Sequence, residues 1–436
     1  MNTVKNIFFI ATARFTKNLS KFLNRGSGTA LPGLIIEKYY PELFDYFSLQ
    51  LNQTILITGT NGKTTTKSML HEVLKEAEIQ HLTNTSGSNL KRGLISTFIE
   101  NSSLKGRLNS SVALLEVEEA TLPKIIDSLK PSILIVTNLF RDQLDAYGEI
   151  NKTRKYILEA IRKSPHTKLV LNADDGMVSS LAENTRNETY YFSLTNKYSK
   201  EFLFENKPNN LNTKPALKPS LIELHGDLTS QFEYNNTIFD VNVPGIFHVY
   251  NALAAMQAAI LLGLQTEQIK QGLSNFKPAF GRGELLKVEK QSLPKALKNF
   301  YKQPFYFQLF LIKNPAGFTL TLNMLKTLRK AKLLIIINDN IADGRDVSWL
   351  WDAQVEKIQH ILYTSVIVSG KRAEDMTLRL KYAHKNIQKH PQITIKKDIQ
   401  EAIVDIMQTV QKEETVYVLP TYTAMNEFRK ILGKRF

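Results

Sequence analysis

The stretch Ile55–Thr66, read as ILITGTNGKTTT, runs from β-branched apolar residues into Gly59, Gly62, Lys63 and three threonines, and Lys67 to Glu78 continue with helical character. Strand, glycine turn and helix in that order build a cradle for phosphate. Glycines let backbone N–H groups turn inward, the helix N-terminus adds partial positive charge, a lysine reaches phosphate oxygens, and a threonine hydroxyl can ligate Mg²⁺. Gly59, Thr60, Asn61, Gly62, Lys63, Thr64 and Thr65 are therefore the expected nucleotide contacts, with Thr64 the expected metal hydroxyl. Only Thr60 and Asn61 separate the two glycines, where the common phosphate loop has four residues. An ordinary Gly/Asn turn would explain the bend but not the order Gly-Lys-Thr.

More polar chemistry follows later apolar runs. Val112–Val117 ends in Glu116, Glu118 and Glu119, Ile133–Thr137 leads into Asn138-Leu139-Phe140-Arg141-Asp142-Gln143-Leu144-Asp145, and Lys168–Leu171 leads into Asn172-Ala173-Asp174-Asp175. In open α/β sheets ligands bind off the carboxyl ends of strands, so these carboxylates are candidates for Mg²⁺ and substrate contact. A single Asp there is as readily a solvated loop residue or helix cap; three strand ends alike argue for chemistry. In the last third, Lys332–Ile337 runs into NDNIADGRD, Asn338 to Asp346. Within it Asp343-Gly344 also reads as a turn and Asp346 as the cap of a helix from Trp349 to Ile358.

The elements that must position these residues alternate strand and helix, which implies an α/β fold with a doubly wound, mostly parallel sheet. Three units are expected: a basic amphipathic helical segment over 1–45, a nucleotide-binding central domain over 46–290, and a smaller α/β domain over 291–436. In the first, Val4–Leu23 mixes Phe8, Phe9, Phe15, Leu19 and Phe22 with Lys5, Arg14, Lys17, Lys21 and Arg25. Packing on the next domain or contact with anionic lipid would both suit it. A turn-rich linker, Arg25–Gly33, and a helix of about Leu34–Phe47 follow. From about 195 to 242 the pattern changes to scattered Lys, Asn and Pro with short alternating runs, Ser220–Leu224 and Thr237–Val241, read as a small β insertion or a basic excursion. Pro244-Gly245 opens a helix over His248–Leu262, and Phe280-Gly281-Arg282-Gly283-Glu284 closes this half.

Composition narrows the class. The 436 residues are 43% hydrophobic and 22% charged, as in ordinary globular chains. No cysteine is present, so disulfides and thiolate zinc sites are excluded, which suits a reducing cytoplasm. A formal charge of +15 favours an anionic partner. Sparse aromatic interleaving among the lysines argues against nucleic acid. No secretory signal or spanning segment is expected.

GTNGKTTT at Gly59–Thr66, Glu116, TNLFRDQLD at Thr137–Asp145, NADD at Asn172–Asp175 and YNALAA at Tyr250–Ala255 together resemble the Mur ligase superfamily, ATP-dependent amide-forming enzymes. The short glycine spacing is the form that superfamily uses. KNPAGF at Lys313–Phe318 and NDNIADGRDVSW at Asn338–Trp349 are similar to the C-terminal domain of its glutaminase-coupled branch. This resemblance implies ATP and Mg²⁺ as cofactors, and phosphorylation of the D-glutamate α-carboxylate of lipid II. Ammonia from a GatD-type glutaminase partner would then form D-isoglutamine at the inner face of the cytoplasmic membrane. By motif position it implies that Lys63 holds phosphate, Thr64 and Glu116 bind Mg²⁺, Asn251 contacts adenine and Arg282 reaches the nucleotide. It further implies that Asp346 completes the partner's Cys-His pair.

Three departures from the family stand out. The four-cysteine zinc ribbon common in the glutaminase-coupled branch is replaced by the region Thr195–Asn242, Gln143 stands where other Mur ligases have a metal-binding His, and His248 stands where an Asn is usual. Two other functions remain open at this point: a stand-alone amino-acid ligase of the Mur or folylpolyglutamate type, and a nucleic-acid-binding ATPase.

Overall fold

The computed structural model describes residues 3–22, 30–85, 87–140, 149–183, 185–199, 217–278, 281–328, 330–361, 363–383 and 393–434. Fifteen strands among these residues form three sheets. The first contains β1 (Gln53–Thr58), β2 (Leu82–Thr83), β3 (Val112–Glu116), β4 (Ile133–Val136), β5 (Lys168–Asn172) and β6 (Thr189–Phe192). They lie in the order β2-β3-β1-β4-β5-β6, and every pair is parallel. From β1 the chain fills one side of the strand with β2 and β3, then crosses to build β4, β5 and β6 on the other, so β1 borders the topological switch point where a ligand crevice opens.

Strand periodicity explains why both faces of this sheet are covered. Ile55, Ile57, Ile133, Ile135 and Val170 point into one core, shared with α4 (Lys63–Glu76) and the helix Phe247–Leu261. Leu56, Leu134, Val136, Leu169 and Leu171 point into another, shared with α1 (Thr3–Phe22), α2 (Leu31–Tyr39), α3 (Glu42–Ser48) and α5 (Lys91–Glu100).

A second sheet is built from β10 (Arg282–Val288), β11 (Phe305–Phe310), β12 (Ala331–Ile336), β13 (Tyr363–Ser369), β14 (Ile393–Ile395) and β15 (Thr415–Pro420). Its order is β10-β11-β15-β12-β13-β14, parallel except for the edge strand β10. It starts ahead of residue 291, because β10 pairs with β11. Leu333, Ile335, Ile337 and Val368 face one core and Leu334, Ile336, Ile367 and Val418 the other. The third sheet, β7 (Leu221–Leu224), β8 (Ser230–Tyr234) and β9 (Thr237–Val241), is antiparallel. Phe232 and Phe239 stack across it and join the first core. Within 195–242 the described residues are thus mainly a small sheet.

Several expected boundaries shift for local reasons. The helix expected over Leu34–Phe47 is two helices, since Pro41 biases Tyr40 out of the helical region and begins α3 itself. Leu31–Gly33, expected in the linker, form the first turn of α2 with Pro32 near its start, where a missing N–H costs nothing. The helix expected over Trp349–Ile358 is a four-residue turn, Trp349–Asp352, followed by a 3₁₀ stretch, Val355–His360. The strands β2, β8 and β10 and a helix over Thr266–Asn275 add to the expected elements.

Candidate active site

A cleft of about 380 Å³ opens off the carboxyl ends of β1, β3 and β4 and is closed from the other side by Lys313, Asn314 and Gly317 of the second sheet's layer. Its size is that of a small-molecule site. Of the residues expected from sequence, Thr60, Asn61, Gly62, Lys63, Thr64, Thr65, Glu116, Asn251 and Arg282 line it. Gly59 stands behind them, and Asp346 is not part of the lining.

The cradle's shape follows from its glycines. Gly59 and Gly62 have φ of 121° and 88°, the left-handed region that side chains avoid. A Cβ on Gly59 would collide with Thr137 Oγ1, and one on Gly62 with Asn251 Oδ1. The loop after β4 clamps the turn: Asn61 N–H donates to Asn138 Oδ1 (2.9 Å), Asn138 Nδ2 donates to Asn61 O (2.9 Å), and Thr137 Oγ1 donates to Asn61 O (2.7 Å). TNLF therefore shapes the cradle. Its continuation, Arg141 to Asp145 with Gln143, lies outside the described residues.

Lys63 Nζ donates to Gly59 O at 2.6 Å and to Glu119 Oε1 at 3.0 Å, and Glu118 Oε2 lies 3.7 Å away. Burial pulls its pKa down, but Glu119 and Glu118 outweigh that and hold it above the ordinary lysine value, so the ammonium stays charged. Burial pushes Glu118 up to about 7, with Lys63 opposing and a hydrogen bond to Glu119 adding to the rise. For Glu119 burial acts upward, yet Lys63 and the bond from Glu118 keep it below the usual carboxylate range. Glu119 Oε1 also accepts from Gly59 N–H at 3.0 Å. The sequence marks these two only as strand-end carboxylates. Their approach to Lys63 depends on β1 and β3 being neighbours.

Thr64 Oγ1 donates to Glu116 Oε2 at 2.8 Å. Asn84 fixes that carboxylate's backbone from both sides, accepting from Glu116 N–H (2.9 Å) and donating to Glu116 O (2.8 Å). Lys67, buried and lowered in pKa by that burial, sits 3.8 Å from Glu116 Oε2. A hydroxyl and one carboxylate at hydrogen-bond distance are hard oxygen donors of the kind Mg²⁺ takes alongside phosphate and water, so these residues fit that ion. The buried Asn61 Nδ2, a donor with no partner among the described residues, and the Lys63 ammonium likewise fit a polyphosphate.

Arg282, at the start of β10, reaches back to donate to Thr65 Oγ1 at 3.1 Å, and Asn314 Nδ2 donates to Asn61 Oδ1 at 3.2 Å. Both sheets thereby touch the cradle. Asn251 Oδ1 accepts from Thr66 Oγ1 (3.3 Å), and its Nδ2 lies 3.1 Å from His248 Nδ1. Burial, with Arg282 adding to it, pushes His248 down to about 3, so a neutral ring accepts from Asn251. Its ring packs on Phe247 at 4.3 Å. His248 therefore orients Asn251.

Not every strand-end acid is chemical. Asp175 caps the turn Gly176–Ser179 through Met177 and Val178 N–H, and accepts from Leu139 N–H; Asp174 accepts from Tyr250 OH (2.6 Å) and Leu194 N–H (2.8 Å). These are structural roles, and they correct the expectation that the acids after β5 face substrate.

Asp346 lies on the loop after β12. Its Oδ1 accepts from Ser348 N–H at 2.8 Å and Ser348 Oγ at 2.5 Å, bonds that hold its pKa below the ordinary value. Ser348, not Asp346, occupies the position just ahead of the following turn, and its side chain makes no capping bond there. The loop is pinned behind it: Asp343 Oδ1 accepts from Thr423 N–H (2.7 Å), and Asp339 pairs with Arg372 at 2.8 Å. Asp346 thus stands half-exposed on a fixed loop.

The Mur ligase middle-domain family matches residues 57–259, and the MurT ligase C-terminal family matches 311–425. The lipid II isoglutaminyl synthase (glutamine-hydrolyzing) subunit MurT of Streptococcus pneumoniae is 32% identical over 94% of this chain and 93% of its own length. The chain belongs to the MurT family. The MurT subunit of Staphylococcus aureus strain COL is 30% identical over 98% of both chains. The MurT fold is shared with MurF of Acinetobacter baumannii (TM-score 0.67, 17% identity, 93% of this chain and 80% of that one). It is also shared with MurF of Thermotoga maritima in complex with ADP (TM-score 0.62, 16% identity, 90% and 83%).

Proposed function

We propose that this chain is the synthetase subunit of a lipid II isoglutaminyl synthase. It uses ATP to phosphorylate the D-glutamate α-carboxylate of the lipid II stem peptide, and ammonia displaces the phosphate to leave D-isoglutamine. The observation that carries this reading is kinship over almost the whole length, second sheet included, with subunits named for that reaction.

A carboxylate is a poor acylating agent, so the first need is charge neutralisation around a transferring phosphoryl group. Lys63 and the cradle N–H groups supply it, with Gly59, Thr60, Asn61, Gly62 and Thr65 shaping the pocket and Asn251 and Arg282 bordering the nucleotide. Thr64 and Glu116 would hold Mg²⁺, which adds further neutralisation when bound. The second need is a dry site, because an acyl phosphate hydrolyses. Asn314 and Lys313, facing the cradle across the cleft, support closure over it.

Nitrogen comes from a GatD-type glutaminase, and we place its dock on the second sheet's layer. There Asp346 is free of the nucleotide cleft, and a loop carboxylate can orient a histidine across an interface and stabilise its charged form. Work on a lipid-borne substrate places the complex at the inner face of the cytoplasmic membrane. The purified chain, given ATP, Mg²⁺, ammonium and lipid II, should amidate alone, and should accept glutamine only when the glutaminase is added. Product formed from an amino acid but never from ammonium would instead identify a stand-alone ligase.

A further inference from the structure

Helix α1 has two apolar sides. Ile10 and Ala13, with Asn6, are buried against the first sheet's core, and Asn6 is tied at both ends: Tyr40 OH donates to its Oδ1 (2.8 Å) and its Nδ2 donates to Lys105 O (3.0 Å). On the opposite side Val4, Phe8 and Phe15 are 74%, 64% and 65% exposed, Ala11 between them is exposed as well, and Ile7, 37% exposed, flanks the row. Spacings of three and four make this one continuous stripe. Single exposed apolar residues are ordinary; a row of them on one helix marks an interaction surface.

The rim of the stripe is cationic. Lys5 is exposed on the flank of the same helix with its ammonium over the Tyr40 ring, and Asn6, on the buried side, bonds the loop that carries the exposed Leu104 (45%), Lys105 and Arg107. Residues 1–40 contain six Lys and Arg and a single carboxylate, Glu37, which Arg92 holds; Glu100, beside the helix, is held by Lys17. Exposed Glu42 and Asp45 belong to α3. An apolar stripe with a basic border is the pattern of helices that lie in a membrane interface, and the positive rim selects an anionic surface. Among the described residues no helix is long and apolar enough to cross a membrane, so such contact is peripheral.

We propose that α1 is a membrane-docking face: Ile7, Phe8 and Phe15 enter the headgroup boundary of an anionic bilayer while Lys5, Lys105 and Arg107 meet its phosphates. This goes beyond the amidation reading and does not depend on it, since vesicles without peptide suffice to test it. The test is flotation of the full chain with vesicles of phosphatidylglycerol and phosphatidylcholine, beside vesicles of phosphatidylcholine alone. Wild type should float with the anionic vesicles and weakly with the neutral ones, and Phe8→Ser/Phe15→Ser should lose at least about tenfold in partitioning. Both side chains lie outside the core, so the melting curve of the variant should match wild type. Lys5→Glu/Lys105→Glu, which leaves the stripe intact, should weaken binding to the anionic vesicles alone. Wild type floating with neither vesicle, or the Phe variant floating like wild type, would overturn the proposal. So would a Phe variant that keeps vesicle binding but loses the glutaminase, which would make the stripe a protein contact.

Discussion

Lys63 and Glu119 form the tightest electrostatic unit of the cleft, and each depends on the other. Glu119 gives Lys63 and the Gly59 N–H a buried negative partner, the same kind of charge that phosphate brings. Glu119→Gln should therefore tighten nucleotide binding several-fold in a fluorescent-nucleotide titration, because Lys63 no longer has to leave a carboxylate. Weaker binding would make Glu119 a positioning group for the cradle. Removing the cation is worse: Lys63→Ala leaves buried carboxylate charge unpaired, which costs ~3 kcal/mol of stability, and should abolish turnover. His248 sets a pH dependence. Its pKa is depressed to about 3 in the fold while the unfolded chain protonates near 6.5, so the unfolded state binds more protons as pH falls below that value. Stability is then whole above pH 6.5 and lost toward pH 3, at about 1.4 kcal/mol per pH unit. Urea midpoints at pH 7.5 and 5.0 should fall further apart for wild type than for His248→Asn.

The element that governs the cleft is the turn between β1 and α4, and its geometry is imposed by the loop after β4. Asn138 makes two of the bonds that hold Asn61, so Asn138→Ala should raise the KM for ATP about tenfold while costing ~1–2 kcal/mol in denaturant unfolding. An unchanged KM would mean that the glycines alone set the turn. This contrast also explains what could be read ahead of the structure. Gly59–Thr66 was legible because a phosphate cradle is contiguous in the chain. Parallel strands such as Ile133–Val136 were legible because burial on both faces writes an unbroken apolar run. Glu118 and Glu119 stayed indistinct since their partner Lys63 is met only across neighbouring strands. The edge strand β10 begins with Arg282 and Gly283 directly after Gly281 and reads as a loop. The orientation of α1 escaped for a similar reason: phenylalanines spaced for a helix do not say which of them faces the core, and Phe8 and Phe15 face outward.

At the scale of the molecule, two doubly wound bodies meet at the cradle, where Arg282 and Asn314 reach Thr65 and Asn61. The proposed activation of the carboxylate belongs in that cleft, whereas Asp346 stands outside it on a loop pinned by Asp343 and Thr423. Separation of the two places is the central claim: one chain activates the acceptor, and the same chain completes a partner's glutaminase. The direct measurement is lipid II amidation by the complex of Asp346→Asn with its glutaminase, supplied in parallel with glutamine and with ammonium. The account predicts a fall of at least about a hundredfold with glutamine, from loss of the histidine's carboxylate partner, and an ammonium-supported rate close to wild type. Equal loss of both rates, or no loss of either, would contradict it.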